Sequence, residues 1–510
     1  MPAYALYFIG VIRVFPVAAL MMLSGCVVGP DYHKPVPGTP GHYSSIRPHS
    51  SSLSEARGVD PQWWETFNDS QLNSLVNRAI KGNLSLQQIV LRIAASRQQL
   101  KQADAAWFPT LNGNLQYSRE QLGIKGELES QGIYRQLNNS SESVRSALDS
   151  LTRPVNLWQG SFDASWELDL WGKVRRQTEM AEAQLQQSVE NRHDALVSLE
   201  AEVARTWLQL RGDQALAATV ETQQAVARQT LELTQSQQRH GLAAQTDVEN
   251  ARAQLHSLQA LLPQYQSQAR QAMNGLAVLL GQFPGALNRE LSYIRPLPAL
   301  PAQVAVGIPS AVVRRRPDIR VAEARLHAAT ANIGVAVAQL FPALTLNGTF
   351  GMRNTDISYL DEWSSHFYST GPGLIIPIFQ GGRLIASVRL ARVEQVSTAL
   401  GYRQAVLMAF QDVENALVSY QADKQRVGAL AAQVTAQQHA FMLARDSYRQ
   451  GISAFIEALD AERQLVQAQQ QLATAQMDSS IDLVALYKAL GGGWQPFQRV
   501  VLPELPLLDD

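Results

Sequence analysis

An internal repeat is the feature that most restricts how this chain can fold. Residues 239–242 (RHGL) match residues 449–452 (RQGI) at an offset of 210 residues (451 − 241 = 210). The same offset relates Gly-Lys at 172–173 to Gly-Arg at 382–383, and Leu-Gly at 280–281 to Leu-Gly at 490–491. The chain is therefore expected to contain two copies of one structural unit, residues 61–300 and 301–493.

Each copy is predicted to contain a helix that ends at a Phe-Pro pair, at about 84–107 and 318–340. The match of residues 108–111 to 341–344 has an offset of 233 (341 − 108 = 233). Between this match and the one at 172–173, the first copy therefore carries 23 additional residues (233 − 210 = 23). Two strand candidates follow the helix in each copy. In the first copy a polar loop, from about Arg119 to Leu157, separates them.

Period-2 alternation over about ten residues identifies the strands, and ten tilted residues can cross a bilayer. The apolar positions are Leu111, Gly113, Leu115 and Tyr117; Phe162, Ala164, Trp166, Leu168 and Leu170; Leu344, Leu346, Gly348, Phe350 and Met352; and Leu374, Ile376 and Ile378. Asp163, Glu167 and Asp169 fall on the opposite face, as expected with lipid outside and an aqueous lumen inside. A soluble two-stranded ribbon is the alternative, and Pro372 and Pro377 weaken the last strand.

Long helices are predicted after each pair of strands. Residues 172–239 contain no proline, and Leu196, Val203 and Leu210 recur there every seven residues, which indicates coiled-coil packing. A return helix spans about 246–280, and Val413, Leu417 and Tyr420 give similar spacing in the second copy. At 1.5 Å per residue, a 67-residue helix would reach about 100 Å. The polar surfaces of these helices favour the wall of a water-filled tube.

Four strands cannot close a barrel in lipid, where open strand edges are not tolerated. The chain is therefore expected to associate with copies of itself. Three copies would supply twelve strands, an even number that is sufficient for a closed barrel.

The N-terminus has the pattern of a secretory signal, residues 1–25, that ends at Leu23-Ser24-Gly25-Cys26. Small residues before the single cysteine predict cleavage and acylation at Cys26, and several acyl chains make membrane anchoring stable. The alternative is a chance cysteine within an ordinary signal peptide. Residues 26–60 are rich in Pro and Ser and predict an extended, lipid-anchored tether. Residues 494–510 are taken as a C-terminal tail.

Several strings together resemble the outer-membrane factor family, the TolC-like channels, in the lipoprotein branch that serves resistance-nodulation-division pumps. They are LSGCVVGPDY at 23–32, Trp63-Trp64, WELDLWGK at 166–173 and RRPDI at 315–319, and the resemblance runs from Cys26 to about Gly493. It implies an α+β membrane protein with an internal twofold repeat. It further implies a homotrimer that combines a 12-stranded transmembrane β-barrel, four strands per protomer, with a 12-helix periplasmic α-barrel. The implied partners are a periplasmic adaptor and an inner-membrane pump in a tripartite efflux system.

The resemblance also implies a periplasmic gate near the ends of the helical hairpins. Matched residue by residue, the gate positions are Tyr448, Glu457 and Asp460 in the second copy and Thr246 and Asp247 in the first. Glu457 stands where the family would place Asp. Gly241 and Gly451 are expected to form the hairpin tips where an adaptor docks.

A structural explanation competes with the gate. Thr246 and Glu249 have the spacing of a capping box, and acids suit a first helical turn. Arg314, Arg315 and Arg316 are interpreted as a solvated run before a helix that starts with proline. Trp63 and Trp64 are interpreted as packing residues.

Other classes of function are disfavoured by composition. A net charge of −1 gives no basic excess for nucleic acid. Nine scattered histidines, with no catalytic or phosphate-binding motif, predict no enzyme, no cofactor and no metal. The remaining rival is a periplasmic coiled-coil adaptor or scaffold lipoprotein, which also has a signal, a lipid and long hairpins. Such an adaptor usually has one hairpin, whereas two hairpins preceded by alternating strands favour a channel.

Overall fold

The computed structural model describes residues 27–46, 53–54, 58–121, 123–144, 146–147 and 153–501. Cys26 and the predicted signal peptide lie outside these residues. The chain divides into two compact units. Of the described residues, the first unit holds 27–32, 98–182 and 327–396, and the second holds the remainder. Each unit draws on both halves of the chain.

The elements are as follows, in chain order. The strands are β1 (Leu53–Ser54), β2 (Thr110–Glu120), β3 (Val155–Leu168), β4 (Val304–Ala305), β5 (Ala343–Asn354) and β6 (His366–Ile375). The helices are α1 (Ser70–Gly82), α2 (Leu84–Asp104), α3 (Ile124–Ser130), α4 (Ile133–Asn138), α5 (Lys173–Arg239), α6 (Gln245–Leu279), α7 (Asn288–Leu291), α8 (Pro309–Arg315), α9 (Pro317–Ala338), α10 (Arg383–Arg449) and α11 (Phe455–Ala489). Residues 142–144 and 146–147 are also helical. Short 3₁₀ turns occupy Trp63–Phe67, Ala105–Trp107, Ile357–Tyr359, Trp363–Ser365 and Gln495–Phe497.

One antiparallel sheet organises the first unit, with strand order β2-β3-β5-β6. β2 pairs with β3 and β5 pairs with β6, so each strand pair comes from one half of the chain. The two pairs meet at β3 and β5, where Phe162 lies opposite Phe350. Among the described strands, β2 and β6 each have a single neighbour.

The sheet has one polar and one apolar face. On the polar face Asn114 donates to the Asp163 carboxylate at 2.5 Å, and Thr349 donates to the same carboxylate at 2.7 Å. On the other face the rings of Tyr117 and Trp158 lie 4.4 Å apart. Large exposed side chains continue the apolar face: Leu111, Leu115, Phe162, Leu346, Phe350, Tyr368 and Leu374. The alternation in the sequence therefore corresponds to two chemically distinct faces.

Two of the strands end earlier than the alternation predicts. β3 ends at Leu168, so the continuation through Leu170 is wrong. Asp169 does not stand on the polar strand face but caps α5, because its carboxylate accepts hydrogen bonds from the backbone N–H groups of Val174 and Arg175, both at 3.0 Å. A side chain that satisfies free N–H groups at a helix start competes well with strand extension.

The second early end is in β6. It stops at Ile375, so Ile376 and Ile378 are not strand residues as predicted. The reason is the length of the partner strand. β5 begins at Ala343, which already pairs with Ile375, and no further residue of β5 remains to continue the ladder.

The long helices have matching lengths. α5 and α10 each contain 67 residues, and α6 and α11 each contain 35. The starts of α10 and α5 differ by 383 − 173 = 210 residues, and those of α11 and α6 by 455 − 245 = 210. The helix ends therefore follow the offset seen in the sequence. Every helix in the described part of the chain is either too short or too polar to span a bilayer.

A mixed aromatic and aliphatic core holds the second unit together. The heptad positions Leu196, Val203 and Leu210 of α5 are fully buried in it. Trp63 and Trp64 are also fully buried, as the packing interpretation predicted, and the Trp63 ring stacks on Tyr487 at 5.2 Å. Burial of large aromatic side chains supplies much of the apolar area that stabilises such a unit.

Arg316 corrects the prediction of a solvated arginine run. Its side chain is only 12% exposed. It donates to the Ala489 carbonyl at 3.0 Å, to Asp318 at 2.8 Å and to Asp412 at 2.9 Å. The guanidinium group thus binds the end of α11 and the start of α9, and five donors in a rigid fork suit it to this position. Pro317 is the first residue of α9, as predicted.

The N-terminal tract, predicted to be an extended tether, has no regular secondary structure from 27 to 40 but is fixed by contacts. In the first unit Asp31 forms an ion pair with Arg176 at 2.7 Å. In the second unit Tyr43 is buried, and the Ser44 backbone N–H donates to Glu414 at 2.7 Å. The described part of this tract is therefore packed against the protein.

Candidate functional site

The turns between the long helices have the same hydrogen-bond pattern in both halves. After α5, the N–H of Gly241 donates to Gln238 O and that of Leu242 donates to Gln237 O, both at 2.9 Å. After α10, Gly451 and Ile452 repeat both bonds at 2.9 Å. This is the Schellman arrangement, which needs a left-handed residue, and each glycine has φ of 73°. Both predicted tip glycines therefore form the turns.

Thr246 and Asp247 lie in the first turn of α6. The helix starts at Gln245 with Ala244 as its N-cap, so Thr246 is inside the helix and the predicted capping box between Thr246 and Glu249 is wrong. Asp247 instead accepts from the Ala244 backbone N–H at 3.3 Å. Glu249 pairs with Arg252 at 2.7 Å.

Glu457 and Asp460 lie at the equivalent start of α11. Glu457 is in its first turn and Asp460 is three residues further, so they share one face of the helix. Both side chains are exposed. Asp460 accepts from the Gln464 side chain at 2.7 Å. Two exposed carboxylates therefore stand close to the second hairpin turn.

Tyr448 is placed differently from these carboxylates. It is only 5% exposed and packs in a small apolar cluster, with its ring 5.2 Å from that of Phe455. Ala251 of α6 joins the cluster, as do Ala458 and Leu459 of α11. Burial raises the pKa of the Tyr448 phenol. Within one protomer, Tyr448 joins the two hairpins rather than lining a surface.

A polar seam between the two hairpins lies beside this cluster, and no pattern in the sequence predicted it. Thr230 of α5 donates to the Glu462 carboxyl of α11 at 3.1 Å, and both residues are buried. Arg463 of α11 donates to Gln254 of α6 at 3.1 Å, and Gln223 of α5 donates to Gln469 of α11 at 2.9 Å. These contacts define the polar seam.

Glu462 is the buried carboxyl group of the seam. Burial raises the pKa of its carboxyl, and the hydrogen bond from Thr230 and the charges of Arg463 and Arg445 offset only part of that effect. A sequence signal for this residue existed. Glu462 occupies an apolar stripe of α11 between Leu459 and Leu465, and a charged residue at a core position calls for a partner.

The segment that follows Cys26 is fixed at the junction between β3 and α5. The Val28 backbone N–H donates to the Trp171 carbonyl at 3.1 Å. A side-chain carbon at Gly172, whose φ is 78°, would lie 2.9 Å from Val27, so glycine is required there both by conformation and by space. Tyr32 stacks on His327 with ring centres 4.2 Å apart. The residue after Cys26 therefore has a defined position at the end of the sheet.

Comparisons with known proteins give the family. The family described as "Outer membrane efflux protein" matches residues 75–282 and 308–492. The chain belongs to the outer membrane efflux protein family. The resemblance drawn from the sequence is therefore confirmed, and the outer membrane is the location of the protein.

Curated relatives span nearly the whole chain. Nodulation protein T of Rhizobium leguminosarum bv. trifolii is 33% identical over 489 residues, covering 94% of this chain and 97% of the relative. The pyoverdine export outer membrane protein OpmQ of Pseudomonas putida is 32% identical over 467 residues, covering 90% of this chain and 94% of the relative.

Solved structures similar to this chain are also outer-membrane channels. The outer-membrane channel OprN is 31% identical with a TM-score of 0.82, and the match covers 92% of this chain and 100% of that one. The MtrE outer membrane channel of Neisseria gonorrhoeae, solved in an open state, is 28% identical with a TM-score of 0.73, and covers 93% and 100%.

Proposed function

We propose that three copies of this outer membrane efflux protein form a channel that passively conducts substrates from a periplasmic adaptor and an inner-membrane pump to the cell exterior. The observation that carries the proposal is the four-stranded sheet, which has one apolar face, one polar face and single-neighbour strands at both edges. Unpaired strand edges are not tolerated in lipid. Association of three copies pairs β2 with β6 of a neighbour and closes a barrel of twelve strands.

The same threefold association places the long helices in a ring. Each protomer contributes the hairpin of α5 with α6 and the hairpin of α10 with α11, so three copies supply the twelve helices of a periplasmic α-barrel. The exposed apolar side chains of α10, including Leu390, Val393 and Leu400, support this arrangement because a neighbouring protomer would cover them.

We place the periplasmic mouth at the ends of the hairpins. Three copies of Glu457 and Asp460 give rings of negative charge, which favour cations and resist tight closure when ionised. Thr246 and Asp247 form a second polar ring. Tyr448 braces the hairpins from behind, and the turns at Gly241 and Gly451 form the surface for the adaptor. The adaptor opens the mouth by binding the open state better than the closed one.

Anchoring by acyl chains on Cys26 completes the proposal. The fixed position of Val27 and Val28 beside Trp171 and Gly172 supports it, because the acyl chains would then start at the end of the sheet, where a membrane surface is expected.

The experiment is to purify the full chain in detergent and reconstitute it in a planar lipid bilayer. We expect an SDS-resistant trimer that dissociates on heating, and stepwise ion conductance under voltage. A protein that stays monomeric in detergent, or a bilayer that remains electrically silent, would overturn the channel and favour a scaffold lipoprotein.

A further inference from the structure

A groove of about 450 Å³ lies on the apolar face of the sheet. Gly113 of β2 and Gly160 of β3, which have no side chains, form part of its floor. The side chains of Leu115 and Phe162 line it next to them. The groove is also lined by Phe350, Met352 and Leu360, and by Asn114, Ser161 and Gly351 of the strands. Its volume falls within the range of about 300–1,000 Å³ that is typical of small-ligand pockets. The exposed surface that lines the groove is mainly hydrocarbon.

The backbone conformation does not require glycine at Gly113 or Gly160; what glycine provides there is the absence of a side chain. Neither has a positive φ, so other residues could adopt the same conformation. A side-chain carbon at Gly113 would meet the Phe162 ring at 3.5 Å, and one at Gly160 would meet Leu115 at 3.2 Å. Since glycine weakens a strand, two glycines on neighbouring strands need a reason. The side chains of Phe162 and Leu115 lie over the two glycines, and the groove stays open beside these side chains.

The groove continues into an aromatic pair and then a cation. Two residues beyond Leu115 on the same face is Tyr117, whose ring lies 4.4 Å from Trp158 and whose hydroxyl donates to Asn156 at 3.2 Å. Two residues further on that face is Arg119, which is exposed and forms no ion pair with the described residues. The order is hydrocarbon, then aromatic, then cation.

This order matches a lipid, because aromatic rings prefer the interface and a cation prefers phosphate. We propose that this face binds a phosphorylated, multiply acylated glycolipid of the outer leaflet. One acyl chain occupies the Gly113–Gly160 groove, and a phosphate contacts Arg119. The inference rests on the proposed function, which puts the apolar face in lipid.

The leaflet follows from the chain path. β3 leads directly into the periplasmic helix α5 after Leu168, so the opposite end of the sheet, near Glu120 and Val155, faces outward. Arg119 is at that outward end. The outer leaflet of this membrane is built of phosphorylated glycolipid, whereas ordinary phospholipids predominate in the other leaflet, so the position selects the glycolipid.

The acyl-chain test compares two Gly→Leu variants in native mass spectrometry. Delipidated trimers are incubated with lipid A or with dioleoyl phosphatidylglycerol. We expect Gly160→Leu to retain lipid A roughly tenfold more weakly than the wild type. Gly348→Leu is the matched control, because Gly348 is on the same apolar face but does not line the groove. It should retain lipid A as the wild type does.

The phosphate test compares Arg119→Gln with Arg353→Gln. Arg353 is also exposed, and its guanidinium lies over the Phe367 ring on the polar face. Arg119→Gln should lose roughly tenfold in lipid A retention, and dephosphorylated lipid A should remove the difference. Arg353→Gln should match the wild type. Equal retention of lipid A by all variants, or retention of phosphatidylglycerol as strong as that of lipid A, would overturn the site.

Conductance separates this inference from the channel itself. If wild-type trimers conduct ions but the variants all retain lipid A equally, the lipid site is wrong and the channel stands. If wild-type protein forms no conducting trimer, the channel is wrong, and the lipid site is overturned with it. Should Gly160→Leu not assemble, Gly113→Leu and Arg119→Gln decide the question in its place.

Discussion

Thr230 and Glu462 join the two hairpins of one protomer through a buried hydrogen bond of 3.1 Å. They are 232 residues apart in the chain. The other carboxyl oxygen of Glu462 is buried without a hydrogen-bond partner among the described residues. An ionised carboxylate in this position is therefore poorly compensated, and the seam should be strongest while Glu462 is protonated.

Replacement of Glu462 by Gln should make hairpin stability less dependent on pH. Burial raises the pKa of Glu462 above its ordinary value of 4.5, so the folded state favours the neutral acid. The stability this provides is present below about pH 4.5 and is lost as the pH rises through the folded-state pKa. A glutamine side chain at this position cannot ionise and keeps an oxygen that accepts from Thr230. We expect the thermal midpoint of Glu462→Gln to exceed that of the wild type increasingly as the pH rises.

The control for this change is Glu249→Gln, which removes an exposed carboxylate paired with Arg252. Its stability should follow that of the wild type within about 0.5 kcal/mol at every pH. If the stability of Glu462→Gln and of the wild type changed in parallel with pH, the pKa of Glu462 would be the same in the folded and unfolded states.

Joint replacement of Glu457 by Gln and Asp460 by Asn should reduce the cation preference of the pore. The two exposed carboxylates are proposed to ring the mouth, and their removal takes six negative charges from a trimer. The ratio of cation to anion permeability in a planar bilayer should fall by roughly twofold or more at about 0.1 M salt. At about 1 M salt the difference should shrink, because the Debye length is then about 3 Å.

Glu249→Gln again provides the comparison, since Arg252 already neutralises that carboxylate near the hairpin turn. Its permeability ratio should stay at the wild-type value. A double variant with unchanged conductance and selectivity at low salt would remove Glu457 and Asp460 from the mouth.

The parts of the fold that depend on local chemistry could be predicted from the sequence. Gly241 and Gly451 form the turns at the predicted positions because a helix end needs a left-handed residue, whatever its surroundings. The helix spans could be predicted for a similar reason, since their apolar period repeats over many turns. The capping role predicted for Thr246 was wrong. Threonine is a better N-cap than alanine, so the pattern favours Thr246, but the helix begins earlier, with Ala244 as its N-cap.

Features that depend on distant residues could not be predicted. Ile376 and Ile378 continue the alternation of β6, but the strand ends when β5 has no more residues to pair with it. Glu462 stands visibly in an apolar stripe, but nothing in the sequence shows that Thr230 is its partner. Arg316 belongs to a run of three arginines, and only the packing of α11 and α10 distinguishes it from the others.

Replacement of Gly451 by Ala should destabilise the second hairpin turn by about 1–2 kcal/mol, because φ at this position is 73°. Space is not the reason, since a side-chain carbon there would meet nothing within 4 Å. Gly428→Ala is the matched control. Gly428 lies inside α10 with equally open surroundings, so alanine should stabilise the helix by about 0.5–1 kcal/mol.

Hydrogen exchange of the amides around residue 451 measures the local effect, and thermal unfolding measures the global one. We expect faster exchange near the turn in Gly451→Ala and slower exchange in α10 for Gly428→Ala. A shift of the same sign in both variants would contradict the role of φ at the turn.

Replacement of Cys26 by Ser should abolish acylation. Cys26 lies outside the described residues, so the expectation rests on the signal sequence and on the fixed position of Val27 and Val28. Intact-mass and peptide mass spectrometry of outer-membrane material should show acyl groups on the wild type and none on Cys26→Ser. Because the contacts of residues 27–32 remain, the variant should still form trimers. A lipid-modified N-terminal peptide from the variant would disprove the anchor site.

Replacement of Arg316 by Gln should lower the stability of the second unit by about 2–3 kcal/mol. The change removes bonds to the Ala489 carbonyl and to the carboxylates of Asp318 and Asp412. The loss should stay below that of a fully buried ion pair, because Asp412 is about half exposed and water can solvate it. Arg314→Gln removes the same charge from an exposed neighbour and should change stability by less than about 0.5 kcal/mol. Thermal unfolding of detergent-solubilised trimers distinguishes the two variants, and equal midpoints would show that Arg316 is as solvated as its run of arginines suggests.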